Sequence, residues 1–326
     1  MVINHSVSDQ ARNVLVTGGG GFVGTVLTQE LLRRKHRVTV IDNFWFGNAL
    51  PKSPNLTVIT SDIRELDHNV FVNKDFDSVI HLANIANDPA VELNQITSWE
   101  VNVLAGKTLI ESAILSGVKR FIFASSGSVY GVSDSPVVTE EHPLVPISAY
   151  NKTKMIAERL FESYGSEIEV FHIRPATVCG VSPRMRLDVS VNMLTYQALN
   201  NQHITVFGGR QVRPNIHIDD LVRLYYLLVE SDMFQPGVYN AGFENLTIME
   251  IAEKIQKQIG CKISIEPTVD IRSYRQDSSK LLQAGFKPKK SVEAAISELR
   301  AEYERGNLVN DARFHTVKWM TMNNLI

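Results

Sequence analysis

Residues 13–33 set the strongest constraint on how this chain can fold. "NVLVT" is an apolar run, "GGGG" is a glycine cluster, and "TVLTQELLRR" beyond it has helical periodicity. Gly18, Gly21 and Gly24 recur at three-residue spacing between strand and helix. Glycines there permit a tight turn and let backbone N–H groups approach a pyrophosphate at the helix N-terminus. A strand, a turn of this kind and a helix open a parallel α/β sheet, and further strands should follow.

They do. "HRVTVID", "NLTVITSD", "FDSVIHLA", "VKRFIFASS" and "IEVFHIRP" read as strands two to six. A long helix over "SWEVNVLAGKTLIESAILSG" is closed by Gly117, and another over "SAYNKTKMIAERLFESYG" is capped by Ser148. Near-continuous apolar strands alternating with helices predict a doubly wound parallel sheet covered on both faces. After Pro175 the rhythm is irregular. Helices are expected over 188–200, 218–231, 247–260 and 291–306, with short strands at "ITVF" and "GVYNAG". The expected division is a dinucleotide-binding Rossmann domain over 11–180, rejoined by segments near 217–241, and a smaller mixed C-terminal domain over 181–216 and 242–326.

The bulk properties narrow the function classes. A formal charge of −2 over 326 residues argues against nucleic acid or an acidic membrane surface as partner. The two cysteines, Cys179 and Cys261, have no metal-ligand spacing and read as reduced thiols; no metal is expected. The N-terminal stretch lacks the pattern of a signal peptide, and no apolar run is long enough to span a bilayer. A cytoplasmic protein is expected.

The second strand ends at Asp42, followed by Asn43. A carboxylate there accepts hydrogen bonds from the adenosine ribose hydroxyls and repels a 2′-phosphate, so NAD is expected over NADP. Asp62, after the third strand, reads either as facing the adenine, with Ile63 beside it, or as a solvated turn residue.

"SAYNKTK" places Tyr150 and Lys154 one helical turn apart. The helix follows the fifth strand, whose end, "ASSGSVYG", lies at the carboxyl edge of the sheet where a dinucleotide would sit. An adjacent ammonium should lower the tyrosine pKa. Tyr150 would then take a proton from a substrate hydroxyl as hydride leaves the same carbon, with Ser126 sharing that proton or bonding the resulting carbonyl.

"TGGGGFVG", "DN", "HLA", "SSGSVYG", "YNKTK" and "RPNIHIDDL" together resemble the extended short-chain dehydrogenase/reductase family, in its nucleotide-sugar epimerase/dehydratase branch. The resemblance runs from about residue 13 to residue 290. It implies a Rossmann domain holding NAD and a smaller domain holding a nucleotide-diphosphate sugar. By motif position it makes Tyr150 the catalytic base and gives Lys154 the nicotinamide ribose. Ser126, four residues before the tyrosine of "VYG", becomes the catalytic hydroxyl. It puts Phe22, Val23, Leu82, Ala83, Asn102 and Pro175 along the cofactor, and Thr177 toward the substrate. Asn192 and Phe207 resemble the nucleotide-binding stretch, and Arg213 the arginine that clamps the diphosphate.

The chain also departs from that pattern. Gly127 and Ser128 replace the Asp-Glu pair of the 4,6-dehydratases. Asn215 stands where an aromatic is usual, and the second diphosphate arginine is absent from its place. Arg275 or Arg272 is the expected replacement. His217 reads as a packed core residue or a substrate contact. Cys179 reads as a small buried hydrophobe rather than an extra acid or base. The apolar stretch "NDARFHTVKWMTMNNLI" is expected to pack on the small domain or on a partner subunit.

The activity this implies is NAD-dependent epimerisation at C4 through a transient 4-keto sugar. A 4-dehydrogenase or 4-keto reductase is the alternative, with a 4,6-dehydratase or a non-catalytic dinucleotide sensor behind it. The helices at 97–116 and 148–164 resemble those of the family's dimeric four-helix bundle, so a homodimer is expected.

Overall fold

A computed structural model describes residues 10–131, 135–268 and 273–326. Arg272 lies outside the described residues.

Twelve strands are formed among the described residues. They are β1 (Asn13–Thr17), β2 (Arg37–Asp42), β3 (Leu56–Thr60), β4 (Ser78–His81), β5 (Arg120–Ala124), β6 (Glu169–Pro175), β7 (Thr177–Cys179), β8 (His203–Phe207), β9 (Val212–His217), β10 (Gly237–Ala241), β11 (Glu244–Thr247) and β12 (Lys262–Glu266). Seven build one sheet in the order β10-β6-β5-β4-β1-β2-β3, and every pairing in it is parallel. The order reverses between β1 and β4, so their carboxyl ends diverge and leave a crevice.

Both faces of this sheet are covered, which explains the strands' continuous apolar runs. On one face Val14, Val16 and Val40 pack with Leu27 and Leu31 of the helix Phe22–Arg33 and with Leu221, Leu224 and Leu228 of the helix Ile218–Glu230. On the other, Leu15, Val79, Phe121 and Phe123 meet Leu109, Ile110, Ala157 and Phe161. The helix carrying Ala157 and Phe161 spans Ala149–Glu162, and its N-cap Ser148 accepts from the Asn151 amide as the sequence suggests. The long helix before β5 is broken into Gln95–Trp99, a π-helical turn at Glu100–Leu104, and Ala105–Leu115. Such turns are rare and bulge a residue out of the helical register.

The remaining strands form two small sheets, β11-β9-β7 and β12-β8. Around β8 and β12 a third core gathers Val191, Leu194, Ile251, Ile255 and Ile296. Cys179 is fully buried within it, its thiol toward the Ile216 carbonyl at 3.5 Å. Burial pushes that thiol far above its usual pKa, so it serves as a packing group.

The C-terminal stretch corrects an expectation. The helix Thr316–Met322 packs against the helix Asp88–Val91 and against the loop after β2, where Trp319 donates Nε1–H to the Trp45 carbonyl at 2.6 Å. It lies on the sheet's carboxyl edge instead of the small C-terminal core. No helix among the described residues is long and apolar enough to cross a membrane.

Candidate active site

A cavity of about 520 Å³ opens along the carboxyl edge of the seven-stranded sheet. One end is the glycine turn. Gly18 has φ +74°, and a Cβ there would lie 2.5 Å from the Ala83 amide nitrogen, so only glycine fits between β1 and the loop after β4. At Gly24 a Cβ would sit 2.2 Å from the Gly18 carbonyl oxygen, which sets how closely the helix approaches the turn. Phe22 and Val23, at the helix N-terminus, line the cavity with Gly21.

Asp42 ends β2 at the cavity wall. Its carboxylate accepts from the Gly20 amide at 2.8 Å and the Phe44 amide at 2.7 Å. Burial raises its pKa despite those bonds. Asn43, Asp62 and Ile63 line the same end. Burial would raise Asp62, but hydrogen bonds from Arg64 outweigh it and hold the carboxyl below its ordinary value. Leu82 and Ala83 form the opposite wall. A glycine cradle, a ribose-side carboxylate and a helix N-terminus fit the adenosine diphosphate half of NAD.

Further along, Tyr150 lines the cavity with Ser126 and Asn84, both of which act on its hydroxyl. The Ser126 hydroxyl sits 2.7 Å from that of Ser128 and accepts from the Ser128 amide at 3.2 Å. Burial raises the Tyr150 pKa, while Ser126 and the charge of Arg186 act to lower it. This reverses the expected direction. Lys154 is also placed differently from the expectation, for it is 3 % exposed and donates to the Ala124 carbonyl at 2.7 Å, over the Phe123 ring. Burial depresses its pKa to about 7, with Glu158 opposing. Under it lies fully buried His81, lowered to about 3 by burial and by the Lys154 charge, and held to the Thr17 hydroxyl at 2.7 Å. Neutral His81 adds no second cation to the cleft floor.

The far end of the cavity is lined by Pro175, Thr177, Arg213 and Tyr274. One family model, that of the NAD dependent epimerase/dehydratase family, matches residues 14–242, the stretch that builds the sheet and most of this cleft. The chain belongs to that family. Among curated relatives it is 27% identical to a UDP-glucose 4-epimerase of Corynebacterium glutamicum over 78% of this chain and 82% of that protein. It is 28% identical to UDP-glucuronic acid decarboxylase 1 of Danio rerio over 90% of this chain and 73% of that protein. Among solved structures, the UDP-glucose 4-epimerase of Thermotoga maritima with UDP-glucose superposes with a TM-score of 0.81 at 28% identity, covering 91% of this chain and 100% of that one. MoeE5 in complex with UDP-glucuronic acid and NAD gives 0.80 at 28% identity, covering 90% and 99%.

Three expected substrate contacts of this epimerase/dehydratase family member do not reach the cavity. Asn192 is fully buried, tying the Gly180 amide and the Gly180 and Arg186 carbonyls together. Phe207 is exposed on β8, and Arg275 is exposed and acts on Glu250, itself exposed in the first turn of the helix Ile248–Ile259. Asn102 stands one layer back, on the π-helical turn. It holds both polar groups of Ile85 and donates to Thr153, thereby bracing the loop that carries Asn84. His217 is buried, facing Glu298 at 3.0 Å and accepting from the Asp219 amide. With Asp219 these groups could surround a cation, but Lys290 already donates to Glu298 at 2.6 Å and lies 3.9 Å from Asp219.

Sequence reading missed Asn84, Arg184, Arg186, Tyr274 and Met320, all of which line the cavity. The one available signal was "SPRMR", a pair of arginines where a small turn would do.

Proposed function

We propose that the chain is a nucleotide-sugar epimerase acting at C4, with residues 11–180 and 217–241 forming the dinucleotide domain, 181–216 and 242–315 the smaller domain that faces the sugar nucleotide across the cleft, and the last helix lying over the sheet edge between them. The observation that carries this is that Tyr150 and Ser126 line one cavity together, between a dinucleotide cradle and Arg213, with Ser126 acting on the Tyr150 hydroxyl. NAD supplies a hydride acceptor that can give back what it takes. Tyr150 receives the C4 hydroxyl proton, and Ser126 and Asn84 hold the oxygen as it becomes a carbonyl. After the 4-keto sugar turns over, Tyr150 returns the proton. Arg213 clamps the diphosphate, leaving the sugar free to turn.

Gly127 speaks against a 4,6-dehydratase. A Cβ there would meet Gln276, the Pro175 carbonyl and Tyr274, each at 3.2 Å, so no acidic side chain fits beside Ser126 without displacing them. A 4-dehydrogenase or 4-keto reductase would use the same proton relay. Arg186, which acts on Tyr150 and lines the cavity, favours including a uronic acid among the substrates, as do the names of two relatives.

The test is incubation of the purified protein with UDP-, GDP-, CDP- and dTDP-sugars, UDP-glucuronic acid included, followed by NMR of the products. A 4-epimer formed without net NADH supports the proposal. Stoichiometric NADH change points to the dehydrogenase or reductase, and turnover no higher than that of Tyr150→Phe to a non-catalytic protein.

We also propose a homodimer. Leu104 and Leu115 are exposed on one face of the helical stretch 100–115, with Ile156 exposed on the neighbouring helix. Burying that apolar surface would stabilise a helix-pair interface. Light scattering at the monomer mass would refute it.

A further inference from the structure

We propose that Arg184 is a cofactor ligand supplied from across the cleft, its guanidinium taking the diphosphate of the dinucleotide opposite the glycine turn. Arg184 follows β7, outside the strand–turn–helix unit that cradles the cofactor. It lines the cavity yet is only 5 % exposed. Among the described residues no carboxylate comes within ion-pairing distance of it, and its Nε has no hydrogen-bond partner. Its hydrogen bond runs from Nη1 to the Met185 carbonyl at a long 3.4 Å. Arg186, two residues on, pairs with Asp188 at 2.8 Å. A buried, unpaired guanidinium is costly, and proteins keep one where an anion completes it.

Its surroundings say which anion. Ser182 donates its hydroxyl to the Phe22 carbonyl at 2.7 Å and lies 2.9 Å from the Thr25 hydroxyl, which ties this segment to the first turn of the helix Phe22–Arg33. Phe46 stacks under the guanidinium at 4.0 Å and fixes its plane. The contacts that place Arg184 therefore belong to the adenosine half of the cleft, away from Arg213. A dinucleotide diphosphate settles at a helix N-terminus, and that is where Ser182 aims the segment. Asp42 holds the ribose end with a negative charge, which argues against a 2′-phosphate as the anion. Burial, reinforced by Arg186, lowers the Arg184 pKa to about 9, and the more distant charges of Asp188 and Asp42 do not offset it. A planar fork suits two phosphate oxygens at once.

The experiment compares the dinucleotide-free full chain with Arg184→Met and Arg184→Lys. Each is titrated by calorimetry with NAD, ADP and adenosine, and each is melted without ligand. If Arg184 takes the diphosphate, Arg184→Met weakens NAD and ADP about 10- to 100-fold, the scale of a lost charge-assisted pair, and leaves adenosine within about twofold. Arg184→Lys keeps the charge without the fork and recovers part of the loss. Unliganded Arg184→Met melts at or above the wild-type temperature, since an uncompensated buried charge has gone. Adenosine weakening in step with NAD would make Arg184 a packing residue and overturn the proposal. So would unchanged NAD affinity, or a lower melting temperature for unliganded Arg184→Met together with wild-type affinities in Arg184→Lys.

Discussion

Lys154 donates its ammonium to the Ala124 carbonyl at 2.7 Å, so the cation one turn from Tyr150 is held by the end of β5. The pair still shares a helix face, but the lysine reaches the sheet edge and the tyrosine reaches the cavity. In this geometry Lys154 fixes the β5 end from which Ser126 follows. Burial works against its charge.

That burial makes stability depend on pH. The folded Lys154 loses its proton near pH 7, whereas the unfolded chain keeps it to about 10.5. Between those values the unfolded state binds more protons, so stability rises with pH, at up to about 1.4 kcal/mol per unit from this group. Above pH 10 the raised pKa of Tyr150 works in the opposite sense. Urea unfolding of dinucleotide-free protein between pH 7 and 8.5, below the range in which Arg184 adds a slope of the same sign, should show the rise, and Lys154→Met should remove it there. An equal slope in both proteins would mean the lysine is solvated.

Tyr150→Phe should lower kcat by about 10²- to 10⁴-fold, the range for a lost acid–base group, and leave the urea midpoint close to wild type. Arg186 is the charge that acts to lower the Tyr150 pKa. Arg186→Met should therefore move the pH dependence of kcat/KM toward alkaline values. The check is a pH–rate profile for both enzymes. A profile that keeps its position while activity falls would make Arg186 a substrate contact only.

Much of this site could be read from the chain because it is local in sequence. The glycine turn, Asp42 at a strand end and the Tyr150–Lys154 spacing each declare themselves within about ten residues. What escaped depends on distant segments. β9 contains Pro214, which argues against a central strand, yet β7 and β11 pair on either side of it. β7 is three residues long and follows β6 after one residue, so no periodicity marks it. Arg184 and Arg186 look alike in "SPRMR", and only the fold separates the paired one from the unpaired one. Asn192 carries a polar side chain that proved to be a brace for its own lobe. The direction of the Tyr150 shift was misjudged because helical spacing reports proximity and not desolvation.

Cys179→Ala should keep kcat within about twofold and cost about 1–2 kcal/mol in stability, as a buried packing group does. The fully buried thiol, its pKa pushed up by burial, should also resist iodoacetamide in the native protein. Loss of activity with unchanged stability would instead put the thiol in the reaction.

The C-terminal helix supplies the last prediction. Thr316 and Met320 line the cavity, the Thr316 amide donates to Asp188 at 2.9 Å, and Trp319 is bonded to the Trp45 carbonyl. The helix therefore spans from the β2 loop to the segment that carries Arg184 and Arg186. Burial would raise Asp188, but Arg186 and Thr316 hold it down to about 2, so this link persists across the physiological range. Trp319→Ala removes the bond to Trp45 and the ring that packs there. It should speed NAD dissociation about tenfold, the kinetic equivalent of one lost buried hydrogen bond of about 1.4 kcal/mol. Stopped-flow release of the cofactor would measure this, and the same variant should change the KM for sugar nucleotide little, because Trp319 meets the β2 loop while Arg213 and Thr177 line the cavity beyond Tyr150. Equal NAD release rates in the two proteins would show that the helix covers the cleft without holding its contents.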